Sequence, residues 1–258
     1  MSSLESSMPG RMATVATLPG DAPWGWLAAG WRDLWTQPVL SIGYGLVFTI
    51  ASFVILYGLV WSDIASLFLA LAGGLLLLGP MLAVGLYEKS RRLAGGEQLS
   101  AGVITLVKTR SPVSLAFFGV VLLLAYFFWM RVAYLLFALF FSGTGFPPMS
   151  EFVPTLLFTT HGLGLLVVGT GVGAVFAAVV FAMSVVSVPM MVSREVDTLT
   201  AVVTSIQAVV RNPAPMLLWA VIVAAIMALG VATFFIGLAV AFPLVGHATW
   251  HAYKATVH

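Results

Sequence analysis

Between Val39 and Tyr253 the chain is a series of apolar runs separated by short polar stretches, a pattern that constrains its fold more than any other feature. A helix needs about 20 apolar residues to cross roughly 30 Å of hydrocarbon. The first run extends from Val39 to Trp61 and is interrupted by Ser62 and Asp63; the second extends from Ile64 to Tyr87. A basic stretch from Glu88 to Arg92 and the pair Gly95–Gly96 follow. The third run starts after Pro112 and continues to about Phe141, where Gly143, Gly145, Pro147 and Pro148 mark a loop. The fourth lies between about Thr160 and Val192. The stretch from Pro215 to Tyr253 covers 39 residues, too many for one helix and enough for a tight hairpin turning near Gly230. Only 8% of the residues are charged, against about 25% in a soluble domain. The apolar side chains must therefore meet lipid, and the expected fold is an all-α membrane protein with six transmembrane helices.

The basic residues test that count, because cytoplasmic loops carry an excess of Lys and Arg. With six spans and a cytoplasmic N-terminus, the inner segments hold Arg11, Arg32, Lys89, Arg91, Arg92, Lys108, Arg110, Arg194, Arg211 and Lys254, which is ten of the 11 basic residues. The outer loops hold Asp63 and Glu151 and nothing basic; only Arg131 falls elsewhere. Five spans would place Lys254 outside and break the pattern. Both termini are thus expected in the cytoplasm of a multi-pass membrane protein. Trp24, Trp26, Trp31, Trp35 and Trp250 fall at the inner boundary, with Trp61 and Trp129 near the outer one, as interfacial tryptophans should. Residues 1–23 are polar and lack the apolar core of a signal peptide, so they read as a flexible cytoplasmic tail. The remainder, 24–258, reads as one transmembrane domain.

A pattern recurs three times within that domain. Trp31-Arg32-Asp33-Leu34 runs to Pro38, Ile104 to Pro112 passes through Lys108 and Arg110, and Ile206 to Pro213 passes through Arg211 and Asn212. Each is an amphipathic stretch, a polar pair, a proline suited to open a helix, and then a membrane span. In the third, Leu199, Val202, Val203, Ile206, Val209 and Val210 form one stripe, and the stretches read as short helices in the inner headgroup region. The second span of each pair carries a proline near its inner end: Pro80, Pro189 and Pro243. The expected architecture is three hairpins, about 24–92, 97–195 and 197–256, each preceded by an interfacial amphipathic helix.

Few side chains suggest chemistry. The absence of cysteine removes disulfides, thiolate metal sites and cysteine nucleophiles. His247 and His251 share a helical face at a spacing that suits a common metal ion or haem, but two ligands are too few and only Glu88 lies at a matching depth for a third. No other cofactor is expected. Arg32, Asp33, Arg211 and Trp250 are expected at the inner interface, with Arg194, Glu195 and Asp197 completing a cluster that pairs internally and with lipid phosphates. Arg131 lies 19 residues past Pro112, roughly 28 Å at about 1.5 Å per residue, so it reaches the outer edge and water; a functional alternative pairs it with Glu151. Gly169 and Gly173 form a small-residue face, continued by Ala177, suited to close helix packing. The glycines of this span do not form a phosphate loop, since no strand precedes them. A net charge of +2 gives no reason to expect a nucleic-acid partner.

Several of these segments together resemble a known family. They are Trp31 to Leu34 with Pro38 and Gly43-Tyr44-Gly45-Leu46, Phe181 to Pro189 with Arg194 and Asp197, Arg211-Asn212-Pro213, and Gly246 to Tyr253. Across about residues 24–255 they are similar to the DUF2189 family of bacterial integral membrane proteins. The resemblance implies a bacterial inner membrane protein without an assigned activity. Some relatives carry a cytochrome oxidase subunit I label. The four histidines here, one of them the terminal His258, are too few for the haems and copper of such a subunit. The expectation is a non-enzymatic accessory or scaffold subunit of a larger membrane complex, such as a respiratory oxidase, with the lipid bilayer and that complex as partners. The alternative is a small-solute transporter or channel, which would need a polar cavity between the repeats.

Overall fold

The computed structural model describes residues 14–61, 68–141 and 149–258. Among them the chain is helical: α1 (Ala22–Trp35), α2 (Pro38–Trp61), α3 (Phe68–Leu82), α4 (Val84–Gly95), α5 (Ala101–Thr105), α6 (Pro112–Phe140), α7 (Met149–Phe158), α8 (Thr160–Ser184), α9 (Ser187–Ser193), α10 (Thr198–Arg211), α11 (Pro213–Ala232) and α12 (Leu238–Thr256). Pro38, Pro112 and Pro213 each occupy the first position of a long apolar helix, where a missing N–H costs nothing. Four helical stretches are long and apolar enough to cross a membrane: Pro38–Trp61, Pro112–Phe140, Thr160–Ser193 and Pro213–Ala232.

The other two expected spans differ. The second is divided at Ala83 into α3, of 15 residues, and α4. Pro80 lies just before that break, and the Leu82 carbonyl at the break accepts a hydrogen bond from the Tyr44 hydroxyl of α2 at 2.8 Å. The fourth stretch is interrupted between α8 and α9, four residues before Pro189, where the Val186 N–H donates to the Ser205 hydroxyl of α10 at 3.1 Å. A proline removes the bond to the carbonyl four residues earlier, which is where the interruption before Pro189 falls; the break at Ala83 lies three residues after Pro80. α12 continues through Pro243, but its second half is polar and buried rather than apolar and exposed.

α12 is the centre of the bundle. α1, α2, α4, α9 and α11 all pack against it. Glycines permit the closest approaches: a Cβ on Gly30 of α1 would lie 2.6 Å from the Ala248 nitrogen, and one on Gly246 would lie 2.6 Å from Leu86 of α4. Gly45 of α2 lies against the Ala239 carbonyl, which Pro243 leaves without its helical partner. The packing face expected on α8 is used otherwise. Gly173 receives the Trp129 ring of α6, while Gly169 has only its own helix nearby and Ala177 is exposed.

The two longer amphipathic helices, α1 and α10, each leave large apolar residues exposed, and α10 turns small residues inward. α1 buries Pro23, Trp26, Gly30 and Leu34 and exposes Trp24, Trp31 and Trp35. α10 buries Ala201, Thr204, Ser205 and Ala208 and exposes Leu199, Ile206 and Val210. The apolar stripe that would be a core in a soluble protein faces outward, and small side chains let the backbones meet inside. The middle copy is shorter: α5 has five residues, and the expected helix does not continue to Pro112. Trp250, expected at the interface, is 3% exposed and lies against Tyr253 in the core.

From Thr14 onward the expected tail is fastened. Val15 bridges to Val257, and the Ala16 N–H donates to the Thr256 carbonyl at 2.9 Å. Asn212 grips the same segment, accepting from the Leu18 N–H at 2.8 Å and donating to the Ala16 carbonyl at 3.0 Å. Residues 1–13 of that tail lie outside the described residues, as do Asp63 and the Gly143–Pro148 loop.

Candidate functional site

Where α1, α2, α4 and α12 meet, polar side chains from all four helices are buried together. The Lys89 ammonium of α4, fully buried, donates to the Asp33 carbonyl at 3.1 Å, the Gln37 carbonyl at 3.2 Å and the Ser41 hydroxyl at 2.6 Å. Asp33 and Gln37 lie at the C-terminal end of α1, where carbonyls lack helical partners and a cation is favoured. Gln37 has a positive φ of 56° and joins α1 to α2. That conformation is uncommon without glycine.

His247 of α12 is also fully buried, with Nε2 2.9 Å from the Ser41 Oγ and Nδ1 2.8 Å from the Ser90 Oγ. One turn further on, His251 Nε2 lies 2.8 Å from the Asp33 carboxylate. Burial would raise the Asp33 carboxyl, but hydrogen bonds from His251 and Ser90 override it and hold the group below its ordinary value. Burial pulls Lys89 down to about 8, and the Asp33 charge opposes that shift only in part. The site thus holds a cation and an anion joined through serine and histidine side chains.

This arrangement changes the reading of the histidine pair. Both His247 nitrogens face serines, and His251 Nε2 faces Asp33, so the rings do not converge on a common ion. Glu88 is held by Arg91 at 2.7 Å and Arg92 at 2.6 Å. These partners keep its carboxyl low despite burial. Among the described residues no three metal-ligating side chains come together.

The other expected residues lie apart from this site. Arg32 is exposed on α1. Arg211 is exposed and reaches the Val15 carbonyl at 3.4 Å. Arg194 stands 5.9 Å from the centre of the Tyr253 ring and reaches the Val257 carbonyl at 3.3 Å. Asp197 caps α10 by accepting from the Thr200 N–H at 2.9 Å. Arg131 is exposed in the second half of α6 and, among the described residues, forms no ion pair with Glu151. Ser41, Lys89 and Ser90 were not singled out by sequence. Lys89 reads there as one of three basic residues marking the inner side, and Ser41 as a lone hydroxyl in an apolar run.

Comparison with known families adds one match, spanning α3 to α9. Residues 67–193 match the DUF2189 family, described as a predicted integral membrane protein. Membrane integration by several apolar helices follows from that match and from the four long stretches together. Within the DUF2189 match lie Lys89, Ser90 and the Phe181 to Pro189 segment; Asp33, Ser41, His247 and His251 lie outside it. No curated protein and no solved structure matches the chain.

Proposed function

We propose that the chain crosses a bacterial inner membrane six times as three hairpins, with both ends cytoplasmic, and serves as a non-enzymatic accessory or scaffold subunit of a larger membrane complex. An even number of crossings is supported by the pairing of Thr14–Ala16 with Thr256–His258, since the two ends must then lie on one side. The repeat is supported by a cyclic order of contacts. α1 of the first hairpin packs on α12 of the third, α5 of the second on α4 of the first, and α10 of the third on α8 and α9 of the second. The residue before the proline follows the same order: Asn212 grips residues 16–18 ahead of α1, and Ser111 grips residues 194–196 ahead of α10.

One observation carries the accessory role. Lys89 and His247, deep in the protein, are joined through Ser41, and His251 is bonded to Asp33, while the long apolar helices turn large side chains outward, among them Tyr57, Val113, Leu139 and Val167. Two open depressions lie on α2, along Pro38–Leu46, and on α10, along Ile206–Arg211, each lined by one helix alone and neither lined by a residue of the polar site. Such a molecule offers a surface rather than a chamber. Extraction from native membranes followed by native mass spectrometry tests the role. A fixed ratio to one other membrane protein is expected; the chain recovered alone in every mild detergent would contradict it.

A further inference from the structure

The side chains of the buried site form a hydrogen-bond chain whose direction can be assigned. An ammonium group has three donors and no acceptor, and Lys89 directs its donors at the Asp33 carbonyl, the Gln37 carbonyl and Ser41 Oγ. Ser41 Oγ therefore accepts from Lys89, and its own hydroxyl proton points to His247 Nε2. With Nε2 an acceptor, a neutral ring carries its proton on Nδ1 and donates it to Ser90 Oγ. The Ser90 proton is left to turn toward the Asp33 carboxylate, which Ser90 helps hold below its ordinary value and which accepts from His251 Nε2 at 2.8 Å.

We propose that Ser41, His247 and Ser90 form a proton path connecting the buried Lys89 ammonium to the Asp33–His251 pair at the edge of the bundle. Exposure follows the same direction. Lys89, Ser41, His247 and Ser90 are at most 1% exposed, whereas the Asp33 and His251 side chains are 17% and 27% exposed.

The transfer balances. The Lys89 proton passes to Ser41 Oγ as the Ser41 proton moves to His247 Nε2. The Nδ1 proton passes to Ser90 Oγ as the Ser90 proton moves to the Asp33 carboxylate. Lys89 ends as a neutral amine and Asp33 as a neutral acid. The serines and His247 keep their charge, His247 in its other tautomer. Asp33 then exchanges its proton with water. No other ionised group competes along the route: Asp33 of α1 and His247 and His251 of α12 face Lys89, and Glu88 is held by Arg91 and Arg92. The amine that remains has fewer protons to share among the α1 carbonyls, so the path links protonation to the grip on α1.

Lysine-selective ¹⁵N labelling makes the path measurable, because the chain has three lysines and Lys108 and Lys254 are exposed references. The full chain in nanodiscs is used to follow exchange of each ammonium with water. Ser90→Ala cuts the path beyond His247 and leaves all three Lys89 acceptors in place. Exchange at Lys89 is expected to slow on the order of tenfold, with Lys108 and Lys254 unchanged. An unchanged Lys89 rate would overturn the proposal. If Ser90→Ala does not fold, Asp33→Asn removes the terminal carboxylate and keeps the backbone carbonyl, with the same two outcomes. Ring ¹⁵N shifts of His247 supply an independent reading, and a proton resident on Nε2 in the unaltered protein would also overturn it.

Discussion

Lys89 is buried without an adjacent carboxylate, and its position is explained by the end of α1 rather than by an ion pair. It supplies a donor to the Asp33 carbonyl that the helix leaves open and a second to the Gln37 carbonyl, which also accepts from the Leu40 N–H. Lys89→Met retains much of the apolar stem and removes those donors. Unfolding by denaturant is expected to show a loss of about 2–4 kcal/mol, because stranded buried acceptors cost about 1–3 kcal/mol each. Lys254→Met, at an exposed position, should stay within about 0.5 kcal/mol. The same groups set the pH dependence. Asp33 and Glu88 are held below their unfolded values, so their stabilisation is full above the ordinary carboxylate range and lost as pH falls below about 4. The Lys89 shift is also downward: lowered to about 8 from 10.5, the amine is protonated more in the unfolded chain between those values, so its contribution too makes stability rise with pH, across that higher window. Thermal unfolding from pH 3 to pH 10 reads both limbs, and a flat acid limb would contradict the Asp33 and Glu88 assignment.

At the scale of elements, the sequence shows where helices begin but not which faces meet. Pro38, Pro112 and Pro213 mark three helix starts correctly, because the reason is local. The stripe on α10 is equally visible, yet its direction follows from the surrounding medium, with Leu199 and Val210 outward and Ser205 inward. The i, i+4 spacing of His247 and His251 is readable, but their partners Ser41, Ser90 and Asp33 come from three other helices far along the chain. No short-range pattern could reveal them. The Gly169–Gly173 face is the visible small-residue pattern on α8, whereas α8 meets the α7 backbone at Gly162, and α12 is approached closely at Gly30 and Gly45. Gly45→Ala would drive a methyl group into the Ala239 carbonyl and should destabilise by about 1–3 kcal/mol. Gly43→Ala, two residues away with nothing within 4 Å, should be neutral or slightly stabilising in the same unfolding assay. Equal effects would mean that α2 and α12 do not meet at this register.

For the whole molecule, apolar length alone accounts for four crossings, and the remaining pair depends on two less regular segments. α3 ends at the break at Ala83, and α12 combines an apolar first half with a buried polar second half. Both shorten the apolar part of a span without requiring the chain to turn back. The pairing of the described ends adds a constraint that hydropathy lacks, since any odd count would separate Val15 from Val257 by the membrane. The absence of cysteine makes a clean topology test possible. Single cysteines at Trp61, Lys108, Phe234 and Lys254 occupy exposed positions at the ends of α2, ahead of α6, between α11 and α12, and near the end of α12. A membrane-impermeant maleimide applied to intact bacterial cells should label the Trp61 and Phe234 positions, and should reach Lys108 and Lys254 only after the membrane is opened. Labelling of the Lys254 position from outside, or protection of the Phe234 position in intact cells, would contradict three hairpins with both ends in the cytoplasm.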